Sequence, residues 1–145
     1  MRVRLEIQQT TDLEALEHNT LLYHRRLMVK LQFKLQDRWS EHMRAIVDTG
    51  SAYSVIPRSL VPSLVAKGLF KTRIKGLVPE ASLNAIMVQT DCVVTDGSHA
   101  SNPFPIHALL TDNAEVPLIL GLEGLLDQGA VYFSIPGEEA WLQFK

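Results

Sequence analysis

Ala45-Ile46-Val47-Asp48-Thr49-Gly50-Ser51 is an apolar run that ends abruptly in an aspartate and a turn. Ile46 and Val47 are β-branched, and a short apolar run of such residues reads as a buried strand. An aspartate at the end of that strand is carried on rigid backbone. Gly50 lets the chain turn tightly and approach other backbone closely. Thr49 and Ser51 add hydroxyls that hold neighbouring groups. Asp, Thr and Gly are also ordinary turn formers, so the surroundings decide what this stretch means.

Working outward, the surroundings are strands. Upstream, Val29, Leu31, Phe33 and Leu35 alternate with Lys30, Gln32 and Lys34, the period of a half-buried strand. Downstream, Ser54-Val55-Ile56 resumes strand character. Leu60, Val61, Leu64 and Val65 then predict a short helix, with Pro62 in its first turn and Gly68 as its stop. Phe70, Thr72 and Ile74 alternate with Lys71, Arg73 and Lys75. After a break from Gly76 to Ser82, residues 83–94 read as one long strand. Asp96-Gly97 marks a turn, and residues 104–110 form a further strand. The apolar run Val116-Pro117-Leu118-Ile119-Leu120 stops at Gly121, and Leu122, Leu125 and Leu126 predict a second short helix. A hairpin around Pro136-Gly137 closes the chain. Many short strands with regular turns predict an all-β fold, a small closed barrel with one or two short helices.

Residues 1–26 differ from the remainder, 27–145. Val3, Leu5 and Ile7 alternate, Thr11-Asp12 offers a helix start, and Leu13, Leu16, Leu21 and Leu22 follow at roughly helical spacing. This N-terminal extension reads as a docking arm, an added helix or a removable pro-segment. His24-Arg25-Arg26 reads as a solvated basic face.

Bulk properties narrow the function. A chain of 145 residues fits one domain, and a formal charge of −2 points to neither a nucleic-acid nor a membrane partner. The five histidines have no metal-ligand spacing, Cys92 is the sole cysteine, and no glycine loop for phosphate is present, so no cofactor or metal is expected. His107, within a strand pattern, reads as a satisfied side chain. The absence of a signal-like N-terminus and of any disulfide suits a reducing cytoplasm.

The order of motifs resembles that of the retropepsin-like aspartic proteases. In that family a strand enters Asp-Thr-Gly-Ser, a hairpin flap follows, and a later apolar strand ends in Leu-Gly before a helix. The matching pieces are residues 45–51, a hairpin around 70–91, Leu118-Ile119-Leu120-Gly121, and a helix from Leu122 to Asp127. The candidate flap tip has one glycine and a proline, and Leu122 stands where viral members carry arginine, which sets the chain nearer cellular, bacterial members. The resemblance implies an aspartic endopeptidase that acts as a homodimer on peptide or protein substrates, with Asp48 of two copies as the dyad. It further implies Thr49 in a lattice between subunits, Gly50 in the turn, and Ser51 orienting the carboxylate. Gly76, Leu77, Val78 and Pro79 would contact substrate. The same fold kept without turnover, as a dimerisation or peptide-binding module, is the alternative.

Overall fold

The computed structural model describes the backbone of residues 1–78 and 81–145, with side chains for all of these except 76–78, 81 and 126. In chain order the strands are β1 (Arg2–Arg4), β2 (Glu6–Thr11), β3 (Tyr23–Phe33), β4 (Met43–Val47), β5 (Ser54–Pro57), β6 (Ala66–Val78), β7 (Ala81–Thr95), β8 (Phe104–Thr111), β9 (Ile119–Leu120), β10 (Gly129–Ser134) and β11 (Glu139–Phe144). Helix α1 (Leu13–Glu17) lies between β2 and β3. The chain is all-β, as the alternating patterns predict.

Pairing closes the sheet. Strands β3, β4, β9, β5, β8 and β7 follow one another edge to edge, and β7 pairs back onto β3. β3 achieves this by changing neighbours along one edge. Its first half, Tyr23 to Met28, takes β2, and Lys30 to Phe33 take β7. Closure leaves the ring itself without a free edge.

Two apolar layers result from the period of two. Val29, Leu31 and Phe33 of β3 point inward with Ala45, Val47, Val94, Ile106, Ala108 and Leu120 to form the main core. The intervening residues Ile46 and Ile119 face the other side. There they meet Val55, Ile74, Ala85 and Val116 in a second cluster, over which the β6–β7 hairpin folds. Lys71, Arg73 and Lys75 alternate with the buried Ile74 and are exposed.

The N-terminal residues are woven into this body. β1 pairs with β11, whose other edge takes β10, in a three-stranded sheet. Val3 and Leu5 lie buried in the main core, and the Leu5 N–H donates to the Ala140 carbonyl at 2.9 Å. Asp12 caps α1 through its Oδ1, which accepts the Ala15 N–H at 3.0 Å. No helix among the described residues is long and apolar enough to cross a membrane.

Two expected helices are replaced. Over 60–65 only a 3-10 turn forms, at Arg58–Leu60. Leu64 bridges to Leu35, and the Val65 N–H donates to the Lys34 carbonyl at 3.1 Å, so tertiary pairing extends the backbone there. Gly68, the expected stop, lies inside β6. Over 122–127, Leu122 and Glu123 give their N–H groups to the Ser51 and Ala52 carbonyls. Gly124 takes φ +87°, and only a 3-10 turn, Leu126–Gln128, follows. A residue in the left-handed region interrupts a right-handed helix.

Candidate active site

Asp48 stands where β4 ends. Its strand is held from the side: Ile46 and Val47 pair in parallel with Ile119 and Leu120, and the Asp48 N–H donates to the Leu120 carbonyl at 2.9 Å. The chain then turns through Thr49 and Gly50 and returns as β5, which pairs with the other side of β9 at Ile119. β9 therefore threads between the strand that enters the aspartate loop and the strand that leaves it.

Gly121 is the point of closest approach. The next residue's N–H donates to the Ser51 carbonyl at 2.8 Å, and the Gly121 N–H donates to the buried Ser54 hydroxyl at 3.1 Å. A Cβ on Gly121 would stand 2.6 Å from the Ser51 carbonyl oxygen and nearer still to that of Tyr53. Only glycine fits between these two carbonyls. The Leu-Gly that ends the late apolar run is thus a structural part of the aspartate loop.

The carboxylate itself is half-buried, and its Oδ1 accepts the Gly50 N–H at 2.9 Å. This fixes one oxygen and the plane of the group. Among the described residues it takes no other hydrogen bond, which leaves Oδ2 for a water, a substrate or a second acid. A Cβ on Gly50 would come within 3.2 Å of Oδ1. The Ser51 hydroxyl donates to the Tyr53 carbonyl at 2.6 Å, and the hydrogen bond to Asp48 Oδ1 comes from the Gly50 N–H. Thr49 is exposed at the tip of the loop. Of the expected substrate contacts, Gly76, Leu77 and Val78 end β6, and Pro79 lies outside the described residues.

His107 Nδ1 lies 2.8 Å from Glu123 Oε1, the satisfied arrangement expected for it. Because the Glu123 N–H also holds the Ala52 carbonyl at 2.9 Å, this pair braces the far side of the aspartate loop.

A feature the sequence reading missed lies beside Asp48. A recess of about 490 Å³ is lined by Asp48, Thr49, Leu27, Phe133, Arg25 and Arg26. Arg25 and Arg26, read as part of a solvated face, are exposed, and they border the same recess as the aspartate. Parity alone sets Arg25 on the same side of β3 as Leu27, Val29, Leu31 and Phe33; that this end of β3 reaches the aspartate follows only from its pairing with β4, where Leu27 faces Val47. Phe133 is 60% exposed at the same recess, an uncovered apolar side chain beside the aspartate.

No family model matches this chain, and no curated protein matches it. Among solved structures, the EIAV protease complexed with the inhibitor HBY-793 aligns at a TM-score of 0.42 with 19% identity. The alignment covers 66% of this chain and 81% of that one.

Proposed function

We propose that this chain is one half of an aspartic endopeptidase, completed when two copies bring their Asp48 loops together. The observation that carries the reading is the aspartate loop. A carboxylate is held by one backbone N–H at the end of a buried strand, its loop is locked by a threaded glycine, and its second oxygen is free among the described residues. A lone carboxylate can take a proton but cannot at the same time give one. Peptide hydrolysis through an activated water asks for both.

A two-fold pair of Asp48 side chains meets that demand. Two carboxyl groups in contact cannot both ionise cheaply, so they hold one proton between them. The ionised member takes a proton from the water as its oxygen bonds to the scissile carbonyl carbon. The protonated member gives its proton to the carbonyl oxygen. Collapse of the tetrahedral intermediate breaks the C–N bond and returns a proton to the leaving amine. Two-fold closure is the common symmetry of homodimers.

On this reading the β6–β7 hairpin, whose Ile74 packs in one cluster with Ile46 and Ile119, is the element that would lie over an extended peptide. The test is a peptide-library digest from about pH 4 to 7, the range in which a proton-sharing dyad operates. Cleavage that a statine-type inhibitor blocks and that Asp48→Asn abolishes supports the reading. Peptide binding without turnover by the wild-type chain would favour a binding module on the same fold.

A further inference from the structure

We infer that Arg25 is a specificity-determining residue, and that the recess at Asp48 takes a peptide carrying a carboxylate close to the bond presented to the aspartate. The inference rests on the peptidase reading for the role of Asp48. It rests on the geometry of the arm for the rest.

The β2–β3 arm carries Arg25 past the end of the barrel. Register places Arg25 opposite Gln9 and two residues beyond Leu27, which faces Val47. The side chain is held in place twice. Its Nε donates to Gln9 Oε1 at 3.0 Å, and its guanidinium carbon lies 5.5 Å from the Tyr23 ring centroid. A guanidinium fixed at Nε and stacked on a ring presents its terminal nitrogens as a ready fork, the geometry that matches a carboxylate in two parallel bonds. Among the described residues Arg25 makes no ion pair, whereas Arg44 and Arg58 are paired with Glu6 and Asp112.

Arg25 and Asp48 border the same recess, with Leu27 and Phe133 as its apolar wall. A ligand there meets an apolar surface, one acidic group that serves the chemistry, and one cationic fork with no anionic partner among the described residues. An apolar peptide carrying Glu or Asp, or ending in a free carboxylate, complements all three. Arg26 borders the same space and adds positive charge without the Gln9 and Tyr23 supports.

The test uses the full chain with Asp48→Asn, so that binding is read without turnover. Fluorescein-labelled, amidated apolar octapeptides carrying Glu at each successive position are compared with their Gln counterparts by anisotropy. One further peptide carries a free C-terminus. The expected result is that Glu at one or two adjacent positions binds about tenfold more tightly than Gln. That ratio falls towards one in Arg25→Gln, is partly retained in Arg25→Lys, and shrinks between low and high salt. A gain confined to the free C-terminus would identify the terminal carboxylate as the recognised group. Equal binding of Glu and Gln peptides at every position, no binding by any acidic peptide, or an unchanged ratio in Arg25→Gln overturns the inference. So does an Arg25→Gln effect confined to the oligomeric state, which would assign the recess to the twin. If the wild-type chain cleaves nothing while the Arg25-dependent preference holds, the peptidase reading fails and the recognition stands.

Discussion

The hydroxyl of Ser54 accepts the N–H of Gly121 at 3.1 Å, joining residues 67 positions apart at the first residue of β5 and just beyond β9. This bond is buried. It fixes the crossing point behind Asp48, so the geometry of the carboxylate depends on two residues that never touch it.

Ser54→Ala leaves the Gly121 N–H buried without a partner. The expected cost is about 1–3 kcal/mol of stability, read as a lower midpoint in urea unfolding. Ser54→Thr keeps an oxygen and is expected to recover part of the loss. If Ser54→Ala unfolds like the parent, the bond does not hold the crossing.

Gly121→Ala drives a methyl into the Ser51 and Tyr53 carbonyls, both backbone and neither free to rotate away. Overpacking of this kind costs about 1–3 kcal/mol, and relief comes only by displacing the aspartate loop. The variant is expected to lose stability and any Asp48-dependent cleavage together. Gly97→Ala, where a Cβ meets open space, loses only the positive-φ preference and serves as the comparison.

Asp96 ties the N-terminal strand to the β7 turn. Its carboxylate accepts the N–H groups of Arg4 at 2.8 Å, His99 at 2.7 Å and Ser98 at 2.8 Å, and these bonds, Arg4 foremost, hold its pKa down at about 2. The sign follows from linkage. A folded pKa below the ordinary 3.8 gives stability that is present above about pH 4 and lost as pH falls towards 2. In Asp96→Asn the stability decline between pH 4 and 2, followed by urea midpoints, is expected to be shallower. An identical acid limb would remove Asp96 from the account.

Cys92 is fully buried in the main core, and burial pushes its thiol well above the ordinary range, with the charge of Asp91 adding to the effect. Thiolate is the reactive form, so labelling by a disulfide reagent is expected to follow global unfolding. Rapid labelling of the native chain would contradict the core described.

How far the sequence carried depended on whether local pattern and tertiary pairing agreed. The strict alternation at Val29 to Phe33 and the apolar run into Asp48 were legible because burial on one face enforces that period. Leu60 to Val65 misled because its apolar spacing suits a helix, yet pairing with Lys34 and Leu35 fixes it extended. At Leu122 to Asp127 the positive φ of Gly124 decided the matter. Arg25 was hidden for another reason. Its nearness to Asp48 arises from the β2–β3 register and from β3 lying beside β4, a relation between segments that no local window contains. Val3 and Leu5 likewise revealed their burial only through pairing with the C-terminal strand. Leu5→Ala is expected to cost about 2–4 kcal/mol.

The measurement that bears most directly on the paired aspartates is the stoichiometry of a tight statine-type inhibitor. It is titrated into the wild-type chain while peptide cleavage is followed, with Asp48→Asn in parallel. One inhibitor per two chains, with no cleavage by Asp48→Asn, is the predicted result. One inhibitor per single chain, or full cleavage by Asp48→Asn, would contradict the pairing of two Asp48 carboxyl groups.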